Sequence, residues 1–123
     1  MSILFTIFSF IIAISILVAI HEYGHYIVAK KLGVKILRFS IGFGKPLWKK
    51  SFGKDQTEFV IAALPLGGYV KMLDKRESDV EAFEEYREFT QQSVWTRIAI
   101  VAAGPAFNFL FAVFAYWMMF VVG

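Results

Sequence analysis

Two long apolar stretches bracket this chain and leave little freedom in what it can fold into. The first runs from Ile3 to Ala29 with Glu22 as its only charge, and the second runs from Ile98 to Val122 with none. At 1.5 Å per residue the first would extend roughly 40 Å as a helix. A bilayer core needs only about 20 apolar residues. All 13 Lys and Arg and the remaining acids lie between residues 30 and 97. The expected fold class is therefore membrane α-helical: two transmembrane helices, residues 3–29 and 98–122, joined by a charged loop. A cleaved signal sequence is the weaker reading of the first stretch, because its basic residues follow the apolar core instead of preceding it.

The charge pattern orients the hairpin and excludes other classes. Lys30, Lys31, Lys35 and Arg38 crowd the end of the first stretch and Arg97 abuts the second. The positive-inside rule then places loop 30–97 in the cytoplasm and both ends outside. Basic and acidic residues are interspersed, unlike the stripe of a nucleic-acid binder. With no Cys in the chain, disulfide frameworks, thiolate zinc sites and thiol nucleophiles are excluded.

The middle segment divides in two. Residues 38–72 combine Gly-rich turns, Pro46, the β-prone run Thr57–Ala62 and the turn Pro65-Leu66-Gly67-Gly68. That pattern predicts three or four short strands in hairpins, apolar enough to lie on or dip into a bilayer. In residues 77–92, Val80, Phe83, Tyr86 and Phe89 recur among six acids, which predicts a short amphipathic helix at the surface. Ser93 is placed to cap the second membrane helix.

The only two histidines fall in His21-Glu22-Tyr23-Gly24-His25. On a helix, His21 and His25 share one face and can reach a single zinc ion. Glu22 can then act as general base on the attacking water. Chance placement of this pattern has odds on the order of one in a thousand, so the motif carries weight. Glu22 is also the only acid in either apolar stretch, at an insertion cost of roughly 2.5–3.5 kcal/mol. Gly24 leaves room for a close approach of backbone or substrate. A hydrolytic zinc takes three protein ligands; Asp55, Asp74 and Asp79 are the loop acids that could swing in, unless the third ligand lies outside this chain. In the second stretch, Pro105 predicts a kink and Gly104 close helix packing. Asn108 has two open roles: an interhelical hydrogen bond, or holding substrate backbone or an oxyanion beside the zinc.

The pieces VAIHEYGHYIVAKKLGVKILRFSIGFGKPLW, TEFVIAALPLGGYVKMLD and IVAAGPAFNFLFAVFAYW, in this order, resemble the site-2 protease family of intramembrane zinc metalloproteases. The resemblance covers nearly the whole chain. It implies Zn2+ as cofactor, with His21 and His25 as ligands and Glu22 as the base. It implies that residues 39–72 form a membrane-reentrant β-hairpin region that presents substrate as an extended strand. Asn108 matches the Asn of the family's GxxxN motif, and is carried over as a catalytic candidate. The resemblance also implies a bacterial inner-membrane location, with both termini periplasmic. The implied activity is regulated cleavage of single-span membrane proteins, such as anti-sigma factors or remnant signal peptides. The implied partners are a substrate helix and the bilayer.

The chain departs from the family at one critical point. The family's third ligand is an Asp in an LDG motif of a later helix, whereas Leu73-Asp74 here precedes Lys75 and lies in the loop. The PDZ domains that follow the second helix in some members are also missing. The expectation is thus a single N-terminal part of a metalloprotease domain, inactive alone, its third ligand supplied by further C-terminal helices or a second chain. Two other classes compete: a non-catalytic membrane adaptor that binds substrate or partner helices, and a metal-transport hairpin. The latter gives Glu22 no reason for its position.

Overall fold

A computed structural model describes residues 2–77 and 79–123. The first apolar stretch forms helix α1, Ile3–Lys31, capped by the Ser2 hydroxyl, which accepts from the Phe5 N–H at 3.1 Å. The helix runs two residues past the apolar stretch, because Lys30 and Lys31 favour the negative end of its dipole. The second stretch forms α2, Val94–Val122. It starts four residues earlier than hydropathy indicates, because Ser93 caps it: its hydroxyl accepts from the Thr96 N–H at 3.2 Å. The helix continues on both sides of Pro105. Both helices are long and apolar enough to cross a membrane. Their outer ends expose Ile3, Leu4, Phe120 and Val122 almost fully.

Between the helices, β1 (Ile36–Phe52) and β2 (Thr57–Met72) form a two-stranded sheet, antiparallel except where Arg38 to Ile41 run alongside Glu58 to Ile61 in the same direction. The short strands of the sequence reading are segments of these two bent strands. Arg38 to Ile41 are paired on both sides, with Lys71 to Gly68 along one and Glu58 to Ile61 along the other. Lys49 to Phe52 pair with Val60 to Thr57. The strands bend where the register shifts, around Ile41, Phe43 and Pro46. Gly42 sits in that bend at φ +94, and a Cβ there would stand 2.9 Å from the carbonyls of Ala62 and Leu64. Among the described residues, segment 68–72 has a partner on one side only, so its other edge is free.

The core sits where the C-terminal half of α1 meets this sheet and the start of α2. Tyr26, Ala29, Val34, Ile36, Phe39 and Ile100 are buried together. Tyr26 lies 5.6 Å, centroid to centroid, from both Phe39 and Phe59, each edge to face. Such pairs contribute about 0.5–1.5 kcal/mol each beyond the area they bury. This aromatic group holds the sheet against the turn of α1 that follows the histidines.

The expected amphipathic helix over 77–92 is not formed. Two 3-10 turns, Ala82–Arg87 and Phe89–Gln91, stand in its place. The reason is tertiary. The Arg87 carbonyl accepts from the Lys35 N–H, and the Phe89 N–H donates to the Leu73 carbonyl, so backbone groups that a helix would need are used elsewhere. Phe83 and Tyr86 stay exposed as a result. Glu88 between the turns is almost fully buried, and accepts from the backbone N–H of Lys75 and Thr90.

Four carboxylates lock this loop, and their sign fixes its pH dependence. Hydrogen bonds from Arg87 hold Asp55 below the usual carboxylate range. Arg38 and then Lys49 do so for Glu58, and Arg76 does so for Asp74. Burial pushes Glu88 up, but hydrogen bonds from the Thr90 hydroxyl and from the Lys75 and Thr90 N–H groups outweigh it and leave it lowered. Folded values below the unfolded ones mean stability that is present above about pH 4–5 and lost as pH falls through the lowered values. Protection of the loop 35–91 amides, taken relative to their intrinsic exchange rate at each pH, is therefore expected to hold steady from pH 7 to about 5. It should fall below about pH 4, before protection in the two helices does. A loop equally protected at pH 3 would overturn this.

Candidate metal centre

The HExxH segment lies on α1 where three elements converge. His21 and His25, one turn apart, meet with ring centroids 4.8 Å apart and planes at 82°. Their Nε2 atoms stand 3.2 Å apart. Two nitrogens bound about 2.0–2.1 Å from one tetrahedral zinc would stand roughly 3.3 Å apart. His25 is oriented from behind by α2: its Nδ1 donates to the Ile100 carbonyl at 2.7 Å. A carbonyl only accepts, so Nδ1 carries the proton and the Nε2 lone pair is free. Such a partner behind a ligating His is what metal sites ordinarily have.

Helix α2 crosses α1 by means of two glycines. A Cβ on Gly24 would stand 2.5 Å from the Ala103 carbonyl and 2.9 Å from the Phe107 ring. The approach that Gly24 permits is thus that of the α2 backbone. A Cβ on Gly104 would press on His25 Nε2 and lie 2.8 Å from His21 Nε2. The missing side chain of Gly104 keeps open the space in front of both nitrogens. The bite of the two histidines and this cradle both fit a zinc ion.

Asn108, one turn beyond Gly104, meets His21 across the helix interface, its Nδ2 3.3 Å from Nδ1. Its Oδ1 is buried without a partner. The interhelical contact is therefore present. Glu22 lines a cleft of about 710 Å3 together with His25, Ile100 and the strand Gly68–Met72. Gly68 makes that approach possible: a Cβ there would meet the Ser40 carbonyl at 2.5 Å, Val18 at 2.9 Å and Glu22 Cγ at 3.5 Å. The free edge of the sheet and the acid thus border one cavity.

The loop acids do not complete the site. Asp55 is engaged in two hydrogen bonds with Arg87, at 2.7 and 2.6 Å. Asp74 also lines the cleft, but both its oxygens are taken by Arg76. Among the described residues, no group of three His, Asp or Glu forms a metal cluster. Sequence reasoning did not find the Ile100 carbonyl, which no residue type announces. It read Gly104 only as a packing residue.

A family model for peptidase family M50 matches residues 9–123. The chain belongs to that family, the site-2 proteases. Among relatives of this M50 chain, a Vibrio cholerae protein named as a zinc metalloprotease is 58% identical over 121 residues, covering 98% of this chain and 26% of the relative. The regulator of sigma-E protease RseP of Escherichia coli strain K12 is 51% identical over 123 residues, covering 100% of this chain and 27% of the relative. Protease RseP of Yersinia pestis matches to the same extent. The M50 chain thus spans about a quarter of the length of these relatives.

Proposed function

We propose that this chain carries two of the three zinc ligands and the general base of a zinc-dependent intramembrane endopeptidase. The observation that carries the reading is the His21–His25 pair, with Nε2 atoms at zinc-bite separation and His25 held from behind by the Ile100 carbonyl. Zinc, when bound, supplies Lewis acidity toward water and the scissile carbonyl. The Glu22 carboxylate takes the proton of the attacking water and returns it to the amide nitrogen as the peptide bond breaks. The free edge at 68–72 offers backbone partners to a peptide in extended form, which a membrane helix must adopt before its peptide bond is attacked. Asn108 supports the site from the far side of His21.

The apolar surfaces of α1 and α2 face lipid in this reading, both termini are periplasmic, and the loop lies in the cytoplasm of a bacterial inner membrane. The third ligand comes from a segment outside these residues or from a second copy. The substrates in this reading are single-span membrane proteins such as anti-sigma factors or remnant signal peptides, as the family resemblance implies; the name regulator of sigma-E protease among the relatives is in keeping with it.

The test is zinc stoichiometry and affinity in detergent. The chain should bind zinc one to one when the third ligand is supplied, and more weakly without it. His25→Ala should abolish binding, since a single imidazole remains. Equal binding by wild type and His25→Ala would overturn the reading.

A further inference from the structure

The Asn108 amide has two settings, and only one leaves His21 able to ligate. We propose that Asn108 is a positioning residue that selects the tautomer of His21, and thereby couples its own orientation to metal loading. This rests on the reading of His21 and His25 as ligands.

The argument starts at Ile100. Its carbonyl fixes the proton of neutral His25 on Nδ1, so His25 presents a lone pair at Nε2. His21 Nε2, 3.2 Å away, must either donate to that lone pair or face it with its own. Asn108 decides between the two. In the structure Nδ2 faces His21 Nδ1 at 3.3 Å. An amide nitrogen only donates, so Nδ1 accepts and the proton of His21 sits on Nε2. Asn108, His21, His25 and Ile100 then form one closed relay of hydrogen bonds, each group donating to the next. In that state His21 has no lone pair to give to a metal. The relay also leaves Asn108 Oδ1 buried without a partner. A half-turn of the amide would bring Nδ2 to that same place, so the unpartnered atom does not by itself favour the closed relay.

The other setting is a half-turn of the amide about its last bond. The oxygen and nitrogen ends have nearly the same shape, so no neighbour has to move. Oδ1 then accepts from His21 Nδ1–H, and the proton leaves Nε2. Both Nε2 lone pairs now face the space that Gly104 keeps open. Two lone pairs at that separation repel unless a cation joins them. The amide turn and the arrival of a cation are thus linked: each makes the other more favourable.

Only two histidines exist in the chain, which makes the test direct. The chain is labelled with 15N in its imidazole rings and held in detergent at a pH where both rings are neutral. His25→Ala assigns the two sets of signals. In the zinc-free wild type, the proton of His21 is expected on Nε2 and that of His25 on Nδ1. Adding Zn2+ should move the His21 proton to Nδ1. Asn108→Asp, held at a pH where its carboxylate is ionised, can only accept, and should place the proton on Nδ1 before zinc is added, with zinc affinity at least that of the wild type. Asn108→Leu can do neither, and zinc affinity should fall about 10–100-fold, as outer-shell changes at metal sites do. A merely structural Asn108 would lose stability in both variants and leave the tautomer of His21 unchanged.

The proposal is overturned if zinc-free wild type already carries the His21 proton on Nδ1, or if Asn108→Asp leaves it on Nε2. Should Asn108→Leu fail to fold, the wild type and Asn108→Asp still decide. If the chain binds no zinc even with the third ligand supplied, the metalloprotease reading fails. The zinc-free tautomers of wild type and Asn108→Asp still test the role of Asn108.

Discussion

Glu22→Gln is expected to abolish peptide cleavage while leaving zinc bound, in the longer chain or assembly that supplies the third ligand. The substitution keeps the size and polarity of the side chain, and so keeps the packing of Glu22 along Gly68 and the cleft. It removes only the ability to take a proton. General acid–base catalysis contributes typically 10²–10⁴-fold. A loss of at least about 10²-fold in cleavage of a single-span reporter is therefore the expected size. Zinc content measured on the same sample separates loss of chemistry from loss of the site. Energetics favour the catalytic assignment over a structural one. An acid in a membrane helix costs roughly 2.5–3.5 kcal/mol, and no ion pair to Glu22 offsets it among the described residues. Cleavage unchanged in Glu22→Gln would remove Glu22 from the role of base and leave its presence in α1 unexplained.

The parts of the fold legible in the sequence are those set by local chemistry. The two apolar runs became α1 and α2, with Ser93 as the cap it resembles. The helical spacing of His21 and His25 brought their Nε2 atoms together. What was not legible depends on partners far away in the chain. The 77–92 segment has helical periodicity, yet Lys35 and Leu73 claim its backbone groups and two 3-10 turns result. The four segments of the sheet merge into two bent strands, because Arg38 to Ile41 pair on both sides. Hydropathy carries no record of that double pairing. Asn108 was recognisable as a polar group in an apolar run, but its contact with His21 is 87 residues distant in sequence. No third ligand was legible, and among the described residues no cluster of three His, Asp or Glu is formed.

Gly104→Ala offers a test in which two physical effects predict opposite signs. By helix propensity alone, Ala in place of Gly within a helix should stabilise it by about 0.8–1.0 kcal/mol. Position 104 lies inside α2, so that gain is available. Sterically, the added methyl would press on His25 Nε2 and sit 2.8 Å from both His21 Nε2 and Cε1. Overpacking of this kind costs typically 1–3 kcal/mol, which exceeds the gain. The imidazoles cannot give way freely either. His25 is tied to the Ile100 carbonyl at 2.7 Å, and His21 is backed by Asn108. The methyl would also occupy the space in front of both nitrogens, so the effect on metal should exceed the effect on stability. Gly104→Ala is expected to lower the melting temperature and to weaken zinc binding by at least about tenfold, the lower end for disturbing a supporting shell. Gly24→Ala provides the comparison. Its methyl would strike the Ala103 carbonyl at 2.5 Å and the Phe107 ring, with neither imidazole among its nearest neighbours. It should cost as much stability as Gly104→Ala and less zinc affinity. Zinc titration of both variants beside thermal melts separates the two effects. A Gly104→Ala chain that melts higher than wild type and binds zinc equally well would show that propensity wins, and that the glycine serves helix contact alone.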